Sequence, residues 1–275
     1  MKMDVAFGQY CEGNSILHRL DPRAKLIISI LYIVVLFIAK NVMAFALLTA
    51  VTAALIIMSE IPRVIIFRGL KPIMFIAAFT AVFNIFFHKG ETLLLDAWIF
   101  EIYLEGIFNA GLIVLRIVLL LLATSMFLTY TTTPLALTDG MEQLLAPLSK
   151  IGVPVHDFSM MMTIALRFIP TLIEETEKIM NAQKARGADF SSGSIIKRVK
   201  ALIPIIIPLF VSAFRRANDL ATAMECRCYT GGKGRTRMNV LHTTSLDFLA
   251  GAFIVLIGAF VVLLNIYAPG YSIKM

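Results

Sequence analysis

The chain alternates between long apolar runs and shorter polar stretches, and five of the runs approach or reach the length of a membrane helix. These runs cover residues 26–39, 42–58, 70–87, 106–129 and 246–267. A helix crosses a bilayer core with about 20 apolar residues, and roughly 17 suffice. The pattern therefore predicts an all-α polytopic membrane protein with about five transmembrane helices.

Only Lys40 and Asn41 separate the first two runs. Joined into one helix, these runs would extend far beyond the ~30 Å thickness of a bilayer core. We therefore expect a tight helical hairpin, and one long bent helix is the alternative. Asp21 and Pro22 mark the start of the first helix, because Asp is a good N-cap and Pro is tolerated at the first helical position.

A long segment of mixed polarity, residues 130–244, separates the fourth run from the fifth. Apolar residues recur in it at helical spacing, which is typical of amphipathic helices. The expected helix starts are Pro134, Asp157, Thr171 and Leu209, and the expected ends of the last three are Pro170, Arg186 and Gly231. Residues 201–214 are apolar but interrupted by Pro204 and Pro208, so we expect them at the membrane interface or at the base of the bundle.

The distribution of Lys and Arg orients these segments. Residues 130–244 hold 14 of the 25 Lys and Arg residues, whereas residues 88–105 are mostly acidic. Cytoplasmic loops carry the excess of Lys and Arg. We therefore expect the N-terminus and residues 130–244 in the cytoplasm and the acidic loop outside. The predicted divisions are 1–129 with four membrane helices, 130–244 with the cytoplasmic helical domain, and 245–275 with the last membrane helix and a short tail.

Composition narrows the choice of partners. The chain is 59% apolar with a net charge of +7 and a mean hydropathy of +0.83. Its basic residues lie between apolar runs and not on a soluble domain, so we expect a bilayer and protein partners and no nucleic acid. The first 25 residues are polar, and we expect no secretory signal peptide. The three cysteines and four histidines have neither the number nor the spacing of a disulfide framework or a metal site.

Two of the predicted cytoplasmic helices end in the same way. One ends in Ala185-Arg186-Gly187 and the other in Cys226-Arg227-Cys228. An arginine can form two parallel hydrogen bonds to a carboxylate, and small neighbours let the helix end enter a groove. Two such ends suit two copies of a similar receptor. The alternative is that each arginine only complements the dipole of its own helix.

Arg116 lies in the middle of the fourth apolar run. An ionisable residue at such a depth is a functional candidate by default. We favour a structural role, in which Arg116 pairs with a carbonyl or an acidic group inside the bundle, over a direct part in function.

Four stretches of sequence resemble the transmembrane T component of energy-coupling factor (ECF) transporters, a CbiQ/EcfT-like family. They are L-D-P-R-A-K-L at 20–26, R-F-I-P-T at 167–171, M-N-A-Q-K-A-R-G-A-D-F at 180–190, and A-M-E-C-R-C-Y at 223–229 with G-R-T-R at 234–237. The resemblance covers nearly the whole chain, and the stretch 180–190 is highly specific.

The resemblance implies a non-catalytic scaffold in the inner membrane of a prokaryote. In this family, Ala-Arg-Gly motifs at the ends of coupling helices dock into two cytoplasmic ABC ATPases, which hold ATP and Mg²⁺. These motifs correspond to Ala185, Arg186 and Gly187, and to Cys226, Arg227 and Cys228. The chain itself is then expected to bind no cofactor. The second motif departs from the pattern at both flanks, which leaves open whether Cys228 ends a helix as glycine does.

The second partner that the resemblance implies is a small membrane S component, which binds a vitamin or another micronutrient. ATP binding would move the coupling helices and make the S component topple inward. Two alternatives remain. A secondary transporter would require inverted repeats and broken helices, and a membrane enzyme would require several metal-binding aspartates; the sequence has neither pattern. The stretch 230–234 lacks the spacing of a phosphate-binding loop, so we expect no ATP hydrolysis by this chain.

Overall fold

The computed structural model describes residues 10–11, 13–87, 92–97, 100–188, 190, 194–232 and 240–267. This part of the chain is almost entirely helical. Its α-helices are α1 Ile16–Arg19, α2 Pro22–Ile38, α3 Val42–Met58, α4 Arg63–Phe87, α5 Leu104–Thr124, α6 Pro134–Leu145, α7 Val155–Ala185, α8 Ile195–Cys226 and α9 Ser245–Tyr267. An antiparallel hairpin of β1 (Leu93–Ala97) and β2 (Phe100–Tyr103) connects α4 to α5. The predicted all-α class is confirmed, with this hairpin as a small addition.

The chain forms two compact units. The first comprises residues 1–143 and 240–275, and the second comprises residues 144–239. The second unit lies within the segment 130–244 that separates the fourth and fifth apolar runs.

Helices α2, α3, α5 and α9 surround the core of the first unit. Tyr32, Leu36, Leu48 and Val261 are fully buried there. Helix α4 packs against α5 and against the π-helical segment Ser125–Tyr130 that continues α5. Large apolar side chains cover the outside of the same helices, which suits a lipid environment.

Among the described residues, three segments are long and apolar enough to cross a membrane: Val64–Phe86, Leu104–Tyr130 and Ser245–Tyr267. Helices α2 and α3 are shorter, with 17 residues each. The Tyr32 hydroxyl group lies 2.6 Å from the Thr52 hydroxyl group and donates to the Leu48 carbonyl group at 3.2 Å. In one continuous helix, Tyr32 and Thr52 would be about 30 Å apart. The predicted helical hairpin is therefore confirmed.

Two long helices dominate the second unit, and here several sequence predictions were wrong. Helix α7 continues through Pro170, which we expected to separate two helices, and α8 continues through Pro204 and Pro208. Residues 201–214 are therefore the middle of α8 and not a separate segment. A proline inside a helix removes one hydrogen bond and costs about 3 kcal/mol. The helix continues because its apolar periodicity continues on both sides and because α7 and α8 pack against each other.

Some predicted helix ends also differ from the observed ones. Helix α7 begins at Val155, so Asp157 lies in the first helical turn and is not the N-cap. Helix α8 ends at Cys226, several residues before the expected end at Gly231. The start of α6 at Pro134 and the end of α7 at Ala185, with Arg186 as its C-cap, agree with the predictions. Asp189 and the stretch 234–237 of the resembling segments lie outside the described residues.

Candidate functional site: two arginine-capped helix ends

The end of α7 is closed by a Schellman motif. Arg186 is the C-cap, and Gly187 follows with a positive φ of 87°. The Gly187 N–H donates to the Lys184 carbonyl group at 2.9 Å, and the Ala188 N–H donates to the Gln183 carbonyl group at 3.0 Å. These two bonds are the pair that defines the motif, and they satisfy carbonyl groups that the last helical turn leaves without partners.

The end of α8 repeats this geometry residue by residue. Arg227 is the C-cap, and Cys228 follows with a positive φ of 55°. The Cys228 N–H donates to the Glu225 carbonyl group at 2.8 Å, and the Tyr229 N–H donates to the Met224 carbonyl group at 3.0 Å. Cys228 therefore takes the backbone position that Gly187 takes in α7, which answers the question that the sequence left open.

The six predicted docking residues all lie on the protein surface. Ala185, Arg186 and Gly187 are exposed, and so are Cys226, Arg227 and Cys228. Neither arginine forms an ion pair with any residue that the structure describes. A guanidinium group has five N–H donors with which it can bind an acidic partner. The structure thus places both predicted motifs in the same local geometry.

A polar contact fixes α7 against α8. The Glu175 carboxylate accepts hydrogen bonds from the Arg216 guanidinium group at 2.6 Å and from the Ser212 hydroxyl group at 2.9 Å. The hydrogen bond from Arg216, helped by Ser212, lowers the pKa of Glu175 below its ordinary value.

The Glu175–Arg216 pair escaped the sequence analysis because its partners are 41 positions apart. The sequence nevertheless contains one regularity that relates these two residues. Glu175 lies eleven positions before Arg186, and Arg216 lies eleven positions before Arg227. Each terminal arginine is thus about 16 Å along its own helix from the contact that joins the two helices.

A second contact between α7 and α8 gives their relative direction. The Tyr229 hydroxyl group, just beyond α8, donates to the Met160 sulfur atom at 3.0 Å and lies 3.5 Å from His156 Nε2. The end of α8 therefore lies beside the start of α7, and Arg186 and Arg227 lie at opposite ends of the helix pair. Arg186 is 26 positions beyond Met160, or about 39 Å along a straight helix.

The structure assigns a structural contact to Arg116. Its Nη2 atom donates to the Ala39 carbonyl group at 2.6 Å, and its guanidinium group lies over the rings of Phe37 and Phe45 at 5.9 and 5.3 Å. Ala39 caps the end of α2, where carbonyl groups have no partner within the helix. In an apolar environment such a carbonyl group needs a donor, and Arg116 provides it. Of the two partners that the sequence analysis named for Arg116, a carbonyl group and an acidic group, the structure shows the carbonyl group.

The described residues contain no cluster of His, Cys, Asp and Glu that could hold a metal ion. The two helix ends present a positive charge and small flanking side chains. An exposed guanidinium group between two small residues, on a helix end held by two backbone hydrogen bonds, fits an acidic groove.

Comparison with known proteins agrees with the sequence resemblance. A family model described as CbiQ, cobalt transport protein, matches residues 13–238. The energy-coupling factor transporter transmembrane protein EcfT of Ruminiclostridium cellulolyticum is 51% identical over 256 residues, which are 93% of this chain and 95% of that protein.

Two further relatives carry the same name. The protein of Clostridium kluyveri is 51% identical over 251 residues, which are 91% of this chain and 93% of the relative. The protein of Bacillus subtilis is 47% identical over 247 residues, which are 90% of this chain and 93% of the relative. The family model and these relatives each cover far more than half of the sequence. The chain therefore belongs to the CbiQ/EcfT family of energy-coupling factor transporter transmembrane proteins.

Proposed function

We propose that this chain couples two cytoplasmic ABC ATPases to a substrate-binding S component in an ATP-driven importer of a vitamin or another micronutrient. The observation that carries the proposal is the matched pair of helix ends at Arg186 and Arg227. Their motifs have the same hydrogen bonds and the same exposure, and they lie at opposite ends of one helix pair. Family membership makes the chain a non-catalytic membrane subunit of a transporter.

Each helix end is suited to one ATPase. The exposed guanidinium group reaches an acidic residue of the receptor groove, and the flanking Ala185 and Gly187, or Cys226 and Cys228, leave space for the groove walls. Two ATPases of similar shape can then bind at opposite ends of the helix pair, about 33 Å apart along its axis, each at its own arginine. ATP and Mg²⁺ belong to these partners.

The first half of α8 supports contact with a partner in the membrane. Ile203, Ile207, Phe210 and Phe214 recur at helical spacing, and each has about half or more of its surface exposed. An uncovered apolar stripe of this length is unstable in water. We assign it to the S component, which would then rest on the helix that ends at Arg227.

This arrangement provides a path by which motion of the ATPases can reach the S component. Closure of the ATPases moves the two arginine-capped ends, and the Glu175–Arg216 contact makes α7 and α8 move together. The motion of α8 is passed to the S component on its apolar stripe. For this route the second unit must face the cytoplasm, in agreement with the excess of Lys and Arg in residues 130–244.

The test is affinity purification of the tagged chain from its native host in mild detergent, followed by mass spectrometry. We expect two ABC ATPases and one or more small membrane proteins to be recovered with the unsubstituted chain. The double variant Arg186→Ala/Arg227→Ala should lose the ATPases but still insert into the membrane. Lys178→Ala/Arg215→Ala is the matched control, because both residues are exposed cations on the same helices and lie outside the two helix-end motifs.

Recovery of ATPases with the double arginine variant at the level of the control would contradict the docking role. Recovery of no ATPase with the unsubstituted chain would favour a secondary transporter.

A further inference from the structure

Three charged side chains near the start of α2 are almost completely buried. Asp21, Lys25 and Asp247 are 5%, 2% and 6% exposed. Burial of a charge is costly unless hydrogen bonds and opposite charges compensate for it. The docking function does not use these residues, so their burial calls for another explanation.

Lys25 binds the segment where the chain leaves the membrane helices. Its ammonium group donates to the Thr131 carbonyl group at 2.8 Å, to the Thr132 hydroxyl group at 3.3 Å and to the His18 carbonyl group at 3.4 Å. A lysine has three N–H donors, so these contacts use all of them. Gly140 of α6 lies against the same start of α2, since a Cβ atom on Gly140 would come within 3.1 Å of Pro22 Cβ.

Asp21 and Arg23 bind the segment where the chain returns from the second unit to the membrane helices. The Asp21 N–H donates to Asp247 Oδ1 at 2.9 Å, and the Arg23 guanidinium group donates to the Leu241 carbonyl group at 3.0 Å. Asp247 Oδ2 accepts from the Thr244 N–H at 2.7 Å, which closes the first turn of α9 as a capping box does.

Acidic and basic side chains lie close together in this cluster. Arg23 pairs with Asp21 at 2.7 Å, and Lys25 is attracted by both Asp21 and Asp247. Burial by itself would raise the pKa of Asp21, but the hydrogen bonds from Arg23 and the charges of Arg23 and Lys25 lower it below its ordinary value. Asp21 is therefore ionised at neutral pH and carries a negative charge beside the two basic side chains.

We propose that the segment Asp21–Lys25 is an anchor in the first unit. It binds both of the chain segments that connect the first unit to the second. The outgoing connection is held at Thr131 and Thr132, and the returning connection is held at Leu241 and Asp247. Motion of α7 and α8 is then transmitted to α2 and the rest of the first unit, because the two connecting segments are held in place and cannot absorb the motion by flexing. This inference rests on the proposed function and adds positioning residues to it.

The test compares Lys25→Met and Arg23→Met with Lys40→Met, a control lysine that is exposed beyond the other end of α2. Each variant replaces the chromosomal copy in the native host. The first readout is recovery of the ATPases with the tagged chain and their ATP hydrolysis in the purified complex. The second is growth on a vitamin mixture that is diluted until growth requires this chain.

We expect both anchor variants to retain the ATPases and their hydrolysis. The vitamin concentration for half-maximal growth should rise roughly fivefold or more, the lower limit of a typical coupling effect. The Lys40→Met variant should resemble the unsubstituted chain in both readouts. Arg23 is only half-buried, so its variant tests the anchor even if Lys25→Met fails to fold.

An unchanged vitamin requirement in variants that assemble normally would overturn the proposal. Loss of ATPase recovery in both anchor variants would also overturn it, because the cluster would then maintain the fold and not the coupling. Failure of the unsubstituted chain to recover any ATPase is a different result, and it contradicts the proposed function itself.

Discussion

The Glu175 carboxylate lies 2.6 Å from the Arg216 guanidinium group, and each of these residues precedes by eleven positions the arginine that caps its helix. The ion pair therefore joins α7 and α8 at equal distances from their arginine-capped ends. A pivot at this point would give the two helix ends arms of equal length, about 16 Å each.

The first prediction concerns the titration of Glu175. Its pKa is lowered by the hydrogen bonds from Arg216 and Ser212, so the ion pair is complete above pH 4.5, the ordinary pKa, and is lost as the pH falls through the lowered value. The variant Arg216→Met should move the pKa of Glu175 upward, toward 4.5. NMR of the labelled Glu175 carboxyl carbon measures both values. Equal pKa values in the two proteins would show that the pair does not form in solution.

The second prediction uses the two Schellman motifs, because Gly187 and Cys228 occupy the same motif position with a positive φ, 87° and 55°, but have different side chains. Replacement of Gly187 by Ala meets no atom within 4 Å, so its cost of about 1 kcal/mol is backbone strain alone. Replacement of Cys228 by Gly relieves that strain and should stabilise the end of α8 by about 0.5–1 kcal/mol.

Amide exchange of the two helix ends in the full chain measures these changes. The exchange rate at Ala188 should rise in Gly187→Ala, and the rate at Tyr229 should fall in Cys228→Gly. Changes of the same sign at both ends would mean that the two motifs are not equivalent.

The third prediction concerns Arg116. Replacement by Met leaves the buried Ala39 carbonyl group without its donor and should destabilise the chain by about 1–3 kcal/mol. Thermal unfolding in detergent measures this loss. Because the contact lies inside the first unit, recovery of the ATPases should not change below the unfolding temperature. A stable Arg116→Met chain that has lost its partners would instead assign Arg116 a direct functional role.

The fourth prediction uses the native cysteines beside Arg227 as reporters. Cys226 and Cys228 are exposed, whereas Cys11 is partly buried in the first unit. Thiols react with maleimides according to their exposure and ionisation. Cys226 and Cys228 should react readily in the isolated chain and slowly in the complex with the ATPases, while the rate at Cys11 stays the same. Mass spectrometry of the labelled peptides gives the three rates, and unprotected Cys226 and Cys228 in the complex would place the ATPase elsewhere.

The sequence was sufficient for features that depend on local composition. The apolar runs predicted the membrane helices, and the two-residue interruption at Lys40-Asn41 predicted the hairpin of α2 and α3. The small residues around Arg186 and Arg227 indicated two helix ends, and the structure gives both the same capping geometry. These features depend on hydropathy, chain length and the special conformation of helix ends, which are encoded within a few neighbouring residues.

Features that depend on distant residues were missed. Pro170 and Pro208 were interpreted as helix breakers, but packing between α7 and α8 keeps both helices continuous. Glu175–Arg216 and Asp21–Asp247 join residues 41 and 226 positions apart, and their charges alone indicate no partner. The β-hairpin before α5 was also missed, because Leu93–Ala97 reads L-L-L-D-A and lacks the alternation of apolar and polar residues that indicates a strand.

The central claim is that each arginine-capped helix end touches an ATPase, and site-specific photocrosslinking tests it most directly. Lys184 and Glu225 are exposed and occupy the same position in the two Schellman motifs, two residues before Arg186 and Arg227. A benzophenone amino acid at either position should crosslink to an ABC ATPase in native membranes. The same probe at Arg215, exposed on α8 and about 18 Å from Arg227, should not. Crosslinks from both helix ends to lipid or to this chain alone, with no ATPase at either, would contradict the account.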